Sequence, residues 1–152
     1  EILSTFIASD GNGADLMTIP AGGAARPATH ETLDSRLHYM KIKGREVFKF
    51  VVTTLEGLVT NAVAKCGLTI DDVALLIPHQ MNLRIIESAV ERLGFPLDKV
   101  AINIDRYGNT SAASIPLALD EVSRNGRLKK GDIIVMASFG GGLTWSSAVV
   151  RW

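Results

Sequence analysis

Two short polar motifs, each at the mouth of an apolar stretch, carry the side chains best suited to chemistry. Pro78-His79-Gln80-Met81-Asn82 directly follows Val73-Ala74-Leu75-Leu76-Ile77, and Tyr107-Gly108-Asn109-Thr110-Ser111 shortly follows Val100-Ala101-Ile102. A neutral imidazole and a carboxamide that converge can donate two hydrogen bonds to one developing negative charge. Paired donors of this kind stabilise oxyanions and enolates. No nucleophile is placed in the same way. The single cysteine, Cys66, falls at the C-terminal end of an expected helix, where the dipole disfavours a thiolate, and reads as a small helix-end residue. Ser111 and Ser114 lack the strand–turn–helix GxSxG setting of an activated serine.

The elements that must hold these motifs follow from periodicity. Residues 2–9 alternate loosely and predict a strand, and residues 10–30, rich in Gly, Ala and Pro, predict a long surface loop. Val47, Val51, Leu55, Leu58, Val59 and Ala62 recur at three- and four-residue steps, which predicts a helix over 44–65, closed by Cys66-Gly67. Residues 73–77 form an unbroken apolar run, the mark of a strand buried on both faces. A helix over 82–93 ended by Gly94, a short strand over 99–104, and a helix over 111–125 closed by Gly126 follow. Pro116 inside that last helix implies a kink or a tight first turn. A buried strand over 132–138 then turns through Gly140-Gly141-Gly142 into a final strand over 144–151. This alternation implies an α/β fold with a mixed sheet covered by helices.

Composition narrows the function classes. The 152 residues suffice for one domain with a real core. Lys plus Arg equals Asp plus Glu, 16 against 16, which argues against bulk electrostatic binding of nucleic acid or membrane. No apolar run reaches the roughly 18 residues of a spanning helix. A lone cysteine excludes an intrachain disulfide and suits a reducing compartment. The chain opens without Met, in strand-like sequence, and reads as part of a larger protein.

Three further features have two readings each. The glycine triplet after Phe139 is either a plain hairpin turn or a place where a backbone N–H approaches a ligand unhindered. It matches no phosphate-binding fingerprint. Lys41, Lys43, Arg45 and Lys49, with Arg84 beyond the His79 motif, are either a solvated face or a docking patch for an acidic partner or phosphate. Phe48 is either core or the wall of a pocket mouth. His30 and His38 have no metal-ligand spacing and read as solvated.

Taken together, the stretches 47–49 (Val-Phe-Lys), 78–84 (Pro-His-Gln-Met-Asn-Leu-Arg), 105–116 (Asp-Arg-Tyr-Gly-Asn-Thr-Ser-Ala-Ala-Ser-Ile-Pro) and 139–145 (Phe-Gly-Gly-Gly-Leu-Thr-Trp) resemble β-ketoacyl-acyl-carrier-protein synthase III, the initiating condensing enzyme of bacterial fatty-acid synthesis. The likeness covers nearly the whole chain, in order. It implies that residues 1–152 are the C-terminal half-domain of a thiolase-like fold, whose N-terminal half bears the catalytic cysteine.

The resemblance implies a Cys-His-Asn site in which His79 and Asn109 supply the histidine and asparagine, and the backbone N–H of Gly141 lies in the oxyanion hole. It implies that Phe48, Asn82 and Phe139 lie along the CoA or pantetheine arm, and that Lys49 and Arg84 dock an acidic acyl carrier protein. The implied substrates are an acyl-CoA, acetyl in the usual case, and malonyl-carrier protein, with no cofactor and no metal. The implied setting is a cytoplasmic homodimer of full-length subunits. Arg45 stands where Asn is usual, Met81 where Ala is common, and Glu91 replaces a basic docking residue. The segment around residues 20–33 is larger than usual. Asn109 in place of a second histidine argues against the elongating condensing enzymes. Cys-His-Asn enzymes of polyketide and other secondary metabolism, and a non-catalytic binding or dimerisation half, are the alternatives.

Overall fold

The computed structural model describes residues 1–152. Its centre is a mixed sheet of four strands, β1 (Ile2–Ser9), β4 (Val73–Pro78), β5 (Ile133–Gly140) and β6 (Thr144–Arg151), in the order β1-β6-β5-β4. β4 and β5 run parallel, while β6 is antiparallel to both β5 and β1. Two helices, α2 (Gly44–Ala64) and α3 (Leu83–Leu93), pack on one face, and α5 (Ser114–Arg124) packs on the other. This is the expected mixed sheet covered by helices.

The two faces follow from the alternation of side chains along each strand. Val135, Ala137 and Phe139 of β5 join the α2/α3 core, while Ile134 joins Leu75, Ile77, Ala118 and Val122 beneath α5. Val47, Val51, Leu55, Leu58, Val59, Ala62 and Val63 make the buried stripe of α2. By length and composition α2 is long and apolar enough to cross a membrane, which corrects the expectation that no apolar run reaches that length. In this fold its stripe packs against the sheet and α3. Gly67 (φ +71°) and Gly94 (φ +69°) adopt the left-handed backbone that ends α2 and α3.

Two expectations are corrected. Residues 10–30 are not one loop. Gly11–Leu16 form a 3-10 turn, and β2 (Met17–Thr18) pairs with β3 (Lys41–Ile42). Further on, a Thr29/Thr32 capping box starts the short helix α1 (His30–Asp34). The strand expected over 99–104 shrinks to one parallel bridge, Leu76 to Val100, with the Ala101 N–H donating to Leu76 O (2.9 Å).

Pro78 explains the shortening. In a continued parallel ladder the N–H of residue 78 would donate to Ala101 O, and proline has none. The Gln80 side chain fills the gap. Its Nε2 donates to Ala101 O (3.0 Å) and Pro78 O (2.9 Å), and its Oε1 accepts from the Asn103 N–H (3.0 Å). Gln80 is 1% exposed. Beyond that point the chain coils into α4 (Ile104–Tyr107).

Gln80→Leu should therefore cost about 2 kcal/mol or more, because it leaves a buried N–H and two buried carbonyls short of partners. Chemical denaturation checks this, and a loss below about 0.5 kcal/mol would show that the amide is dispensable.

Candidate functional site

The parallel strands β4 and β5 end side by side, and side chains beyond the carboxyl ends of parallel strands are where α/β folds expose reactive groups. The His79 N–H donates to Ala137 O (2.8 Å), which extends β4 by one backbone bond toward β5 and fixes where the imidazole leaves the sheet. β5 ends at Gly140, the first residue of the glycine triplet. α3 starts immediately after the His79 motif, with Asn82 as its N-cap, Oδ1 accepting from the Arg84 N–H (3.0 Å). The first turns of α2 lie over the same end of the sheet: the Phe50 ring stands edge-on to Phe139 (6.0 Å) and Trp145 (5.3 Å).

His79 is half-buried. Burial lowers its pKa below the ordinary value of 6.5, so the ring is neutral at pH 7. Its Nδ1 lies 2.6 Å from the Ser114 hydroxyl oxygen, which also accepts from the Gln80 N–H (3.2 Å). Ser114 opens α5 and is 2% exposed. Through it the imidazole is tied to the segment that carries Asn109.

That segment has an unusual backbone. Gly108 has φ +67° and ψ −162°, a region essentially confined to glycine, and Ser111 has φ +53°. Between them Asn109 Oδ1 accepts from the Ser111 N–H (2.9 Å). The amide oxygen is thus occupied, and the exposed Asn109 carboxamide presents its NH2 group without a partner in the chain. A 3-10 turn, Ser111–Ala113, then leads into α5, with Pro116 in the first turn where a missing N–H costs nothing.

The glycine turn is held from behind. The Asp10 N–H donates to Leu143 O and the Leu143 N–H to Asp10 O, both at 2.8 Å. Leu143 packs so closely on Gly13 that a side chain there would collide with it. Gly142, at φ +146°, needs glycine. The Gly141 N–H has no partner within the chain, while its carbonyl accepts from Thr144 Oγ1 (3.4 Å).

The other sequence candidates separate into two groups. Phe48 (36% exposed), Lys49, Asn82 and Arg84 are exposed on the elements that border the His79 end of the sheet. None of Lys41, Lys43, Arg45, Lys49 and Arg84 takes part in an ion pair. Phe139, expected along the pantetheine arm, is a core residue of this chain (9% exposed), packed on Phe50. Cys66 lies past the far end of α2, about 30 Å from its start at 1.5 Å per residue, and its thiol donates to Ala62 O (3.5 Å). His30 and His38 are exposed. A cleft of roughly 700 Å³ lies between α2 and the β1 edge, lined by residues that include Phe6, Gly57, Lys65 and Trp145, and holds none of the candidates.

Sequence reasoning passed over Gln80 and Ser114. Both sit inside the motifs singled out, yet Gln80 drew no attention, and Ser114 was weighed only as a nucleophile. Their roles are hydrogen bonds across 21 to 35 residues, for which spacing gives no signal. The Gly108 backbone yields a direct test. Gly108→Ala should destabilise the chain by about 1–3 kcal/mol and move the Asn109 amide. Thermal unfolding and the side-chain amide resonance of Asn109 check it, and unchanged values of both would show that the strained backbone is not needed.

A sequence profile described as 3-Oxoacyl-[acyl-carrier-protein (ACP)] synthase III C terminal matches residues 63–152. The chain is 50% identical over 151 residues to the β-ketoacyl-[acyl-carrier-protein] synthase III of Caldanaerobacter subterraneus subsp. tengcongensis, covering 99% of this chain and 46% of that protein. Its identity to the protein of the same name from Desulfitobacterium hafniense (strain DSM 10664 / DCB-2) is 54%, covering 94% of this chain and 43% of that one. The crystal structure of the Thermus thermophilus synthase III superposes with a TM-score of 0.86 at 43% identity, over 99% of this chain and 46% of that one. The chain thus spans about half the length of the relatives it matches. It belongs to the β-ketoacyl-acyl-carrier-protein synthase III family, has that family's thiolase-like fold, and corresponds to its C-terminal half.

Proposed function

We propose that this half supplies the His/Asn pair of a decarboxylating condensing acyltransferase, β-ketoacyl-acyl-carrier-protein synthase III. One observation carries the reading: a neutral histidine at the end of a parallel strand is hydrogen-bonded to Ser114, at the start of the helix that directly follows the segment bearing an asparagine with a free NH2 group. Two neutral donors suit an enolate, because they stabilise its oxygen without protonating it.

The complete reaction begins on a cysteine thiol in the other half of the protein. The thiol takes an acyl group from acyl-CoA, acetyl in the simplest case, and releases CoA. Malonyl-carrier protein then enters, and its carboxylate leaves as carbon dioxide. The electron pair of the broken C–C bond passes into the thioester as an enolate, whose oxygen His79 and Asn109 hold. The enolate carbon attacks the acyl thioester, and the Gly141 N–H donates to the oxygen of the tetrahedral intermediate. Collapse expels the cysteine thiolate and leaves a β-ketoacyl-carrier product. No resident cofactor or metal enters these steps.

Phe48 and Asn82 border the entry side and are assigned to the pantetheine arm. Phe139 contributes by packing beneath the glycine turn. Lys49 and Arg84, exposed and without ion-pair partners, are assigned to an acidic carrier protein. The reading places the complete protein in the cytoplasm as a homodimer of full-length subunits.

In the full-length protein, His79→Ala should lower decarboxylation of malonyl-carrier protein by at least about a hundredfold, while acyl transfer to the cysteine persists. Unchanged decarboxylation removes His79 from the mechanism. Because burial lowers the His79 pKa, the pH–rate profile of decarboxylation should show no histidine inflection at the ordinary 6.5, only below it. Charge reversal in Lys49→Glu and Arg84→Glu should raise KM for malonyl-carrier protein by about tenfold and leave KM for malonyl-CoA unaltered. Equal effects on both substrates would argue against carrier docking.

A further inference from the structure

Ser114 makes two contacts, and together they decide where its proton goes. The Gln80 N–H can only donate, so at 3.2 Å it occupies an acceptor site on the Ser114 oxygen. The hydroxyl hydrogen needs an acceptor of its own, because the residue is 2% exposed. The only other polar atom in hydrogen-bonding range is His79 Nδ1, at 2.6 Å. Were Nδ1 protonated, the serine oxygen would receive two N–H groups and its own hydrogen would be buried with no acceptor. The arrangement that satisfies every group runs from the Gln80 N–H to Ser114 Oγ and from the Ser114 O–H to His79 Nδ1.

We propose that Ser114 is a positioning residue that holds His79 in the form protonated at Nε2, so that the only ring donor faces away from α5 and into the site. This rests on the reading of His79 as an enolate donor. The lowered His79 pKa agrees with it, since Nδ1 can accept only when the ring is neutral. The chain of bonds also accounts for a second feature. Gln80 is fixed by its side chain to Pro78, Ala101 and Asn103, so its backbone N–H is a rigid anchor for the serine. The orientation of the imidazole is therefore set by the buried end of β4.

The test uses the full-length protein labelled with 15N-histidine. A long-range 15N–1H correlation spectrum near pH 7.5 distinguishes the two neutral forms, because a protonated and an unprotonated ring nitrogen resonate far apart. His79, assigned by its loss in His79→Ala, should show a protonated Nε2 and an unprotonated Nδ1. A protonated Nδ1 in the wild type overturns the proposal without recourse to any Ser114 variant. Ser114→Ala should give a mixture of both forms and lower kcat for decarboxylation at least about tenfold, with KM and acylation of the cysteine unchanged. Ser114→Thr, which keeps the hydroxyl, should restore both the spectrum and kcat. A Ser114→Ala protein with the wild-type spectrum and kcat also overturns it. Failure of the condensing reading is separate: it is seen as His79→Ala retaining decarboxylation, whatever the wild-type spectrum shows.

Discussion

A proline stands where the sheet needs an N–H, and the site depends on how that gap is closed. Pro78 ends β4 and cannot donate to the neighbouring segment. The buried Gln80 amide bridges both sides of the break, joining Pro78 O, Ala101 O and the Asn103 N–H. A buried amide with this many partners is rigid, and losing any partner would be costly. Strand pairing stops there, and the chain is free to leave the sheet as α4 and return as the Asn109 segment. The same constraint holds the Gln80 N–H against Ser114 and so ties the start of α5 to the end of β4.

The geometry of the site follows from this junction more than from any loop. His79 is fixed by its backbone bond to Ala137, its ring contact with Ser114 and its place one residue past the strand. The Asn109 amide is fixed by a glycine-only backbone at Gly108, a left-handed Ser111 and its own bond to the Ser111 N–H. The glycine turn is pinned by a reciprocal backbone pair with Asp10 and by Leu143 packed on Gly13. Donors held this way lose little freedom when charge develops, which is what makes preorganised hydrogen bonds effective. Local strain at Gly108 and Ser111 is tolerated because both flanking elements are anchored.

The surroundings divide by burial. Phe139 is buried, and the partly buried Phe50 of α2 meets it edge-on. Lys49 and Arg84 stay exposed, and no acidic side chain of this chain pairs with them, so their charge is available to a partner. Where Arg92 and Arg124 lie beside Glu56 and Asp120, the charges pair within the chain instead.

The sequence by itself determined the α/β class, the long helix α2, the strands β1, β4, β5 and β6, the glycine helix ends at Gly67 and Gly94, and the His79 and Asn109 motifs. These depend on periodicity, on apolar runs and on residues whose backbone preferences are intrinsic, all of which are local. The resemblance carried by the same motifs led to the family and to the half of it present here. Tertiary structure alone decided the rest. The strand expected over 99–104 stopped at one bridge because a partner strand ends in proline, and no property of residues 99–104 records that. Phe139 became core because Phe50, distant in sequence, covers it. Ser114 and Gln80 acquired their roles because a buried hydroxyl and a buried amide must find partners, and which partners lie within reach is settled only when β4, α5 and the Ala101 segment pack together.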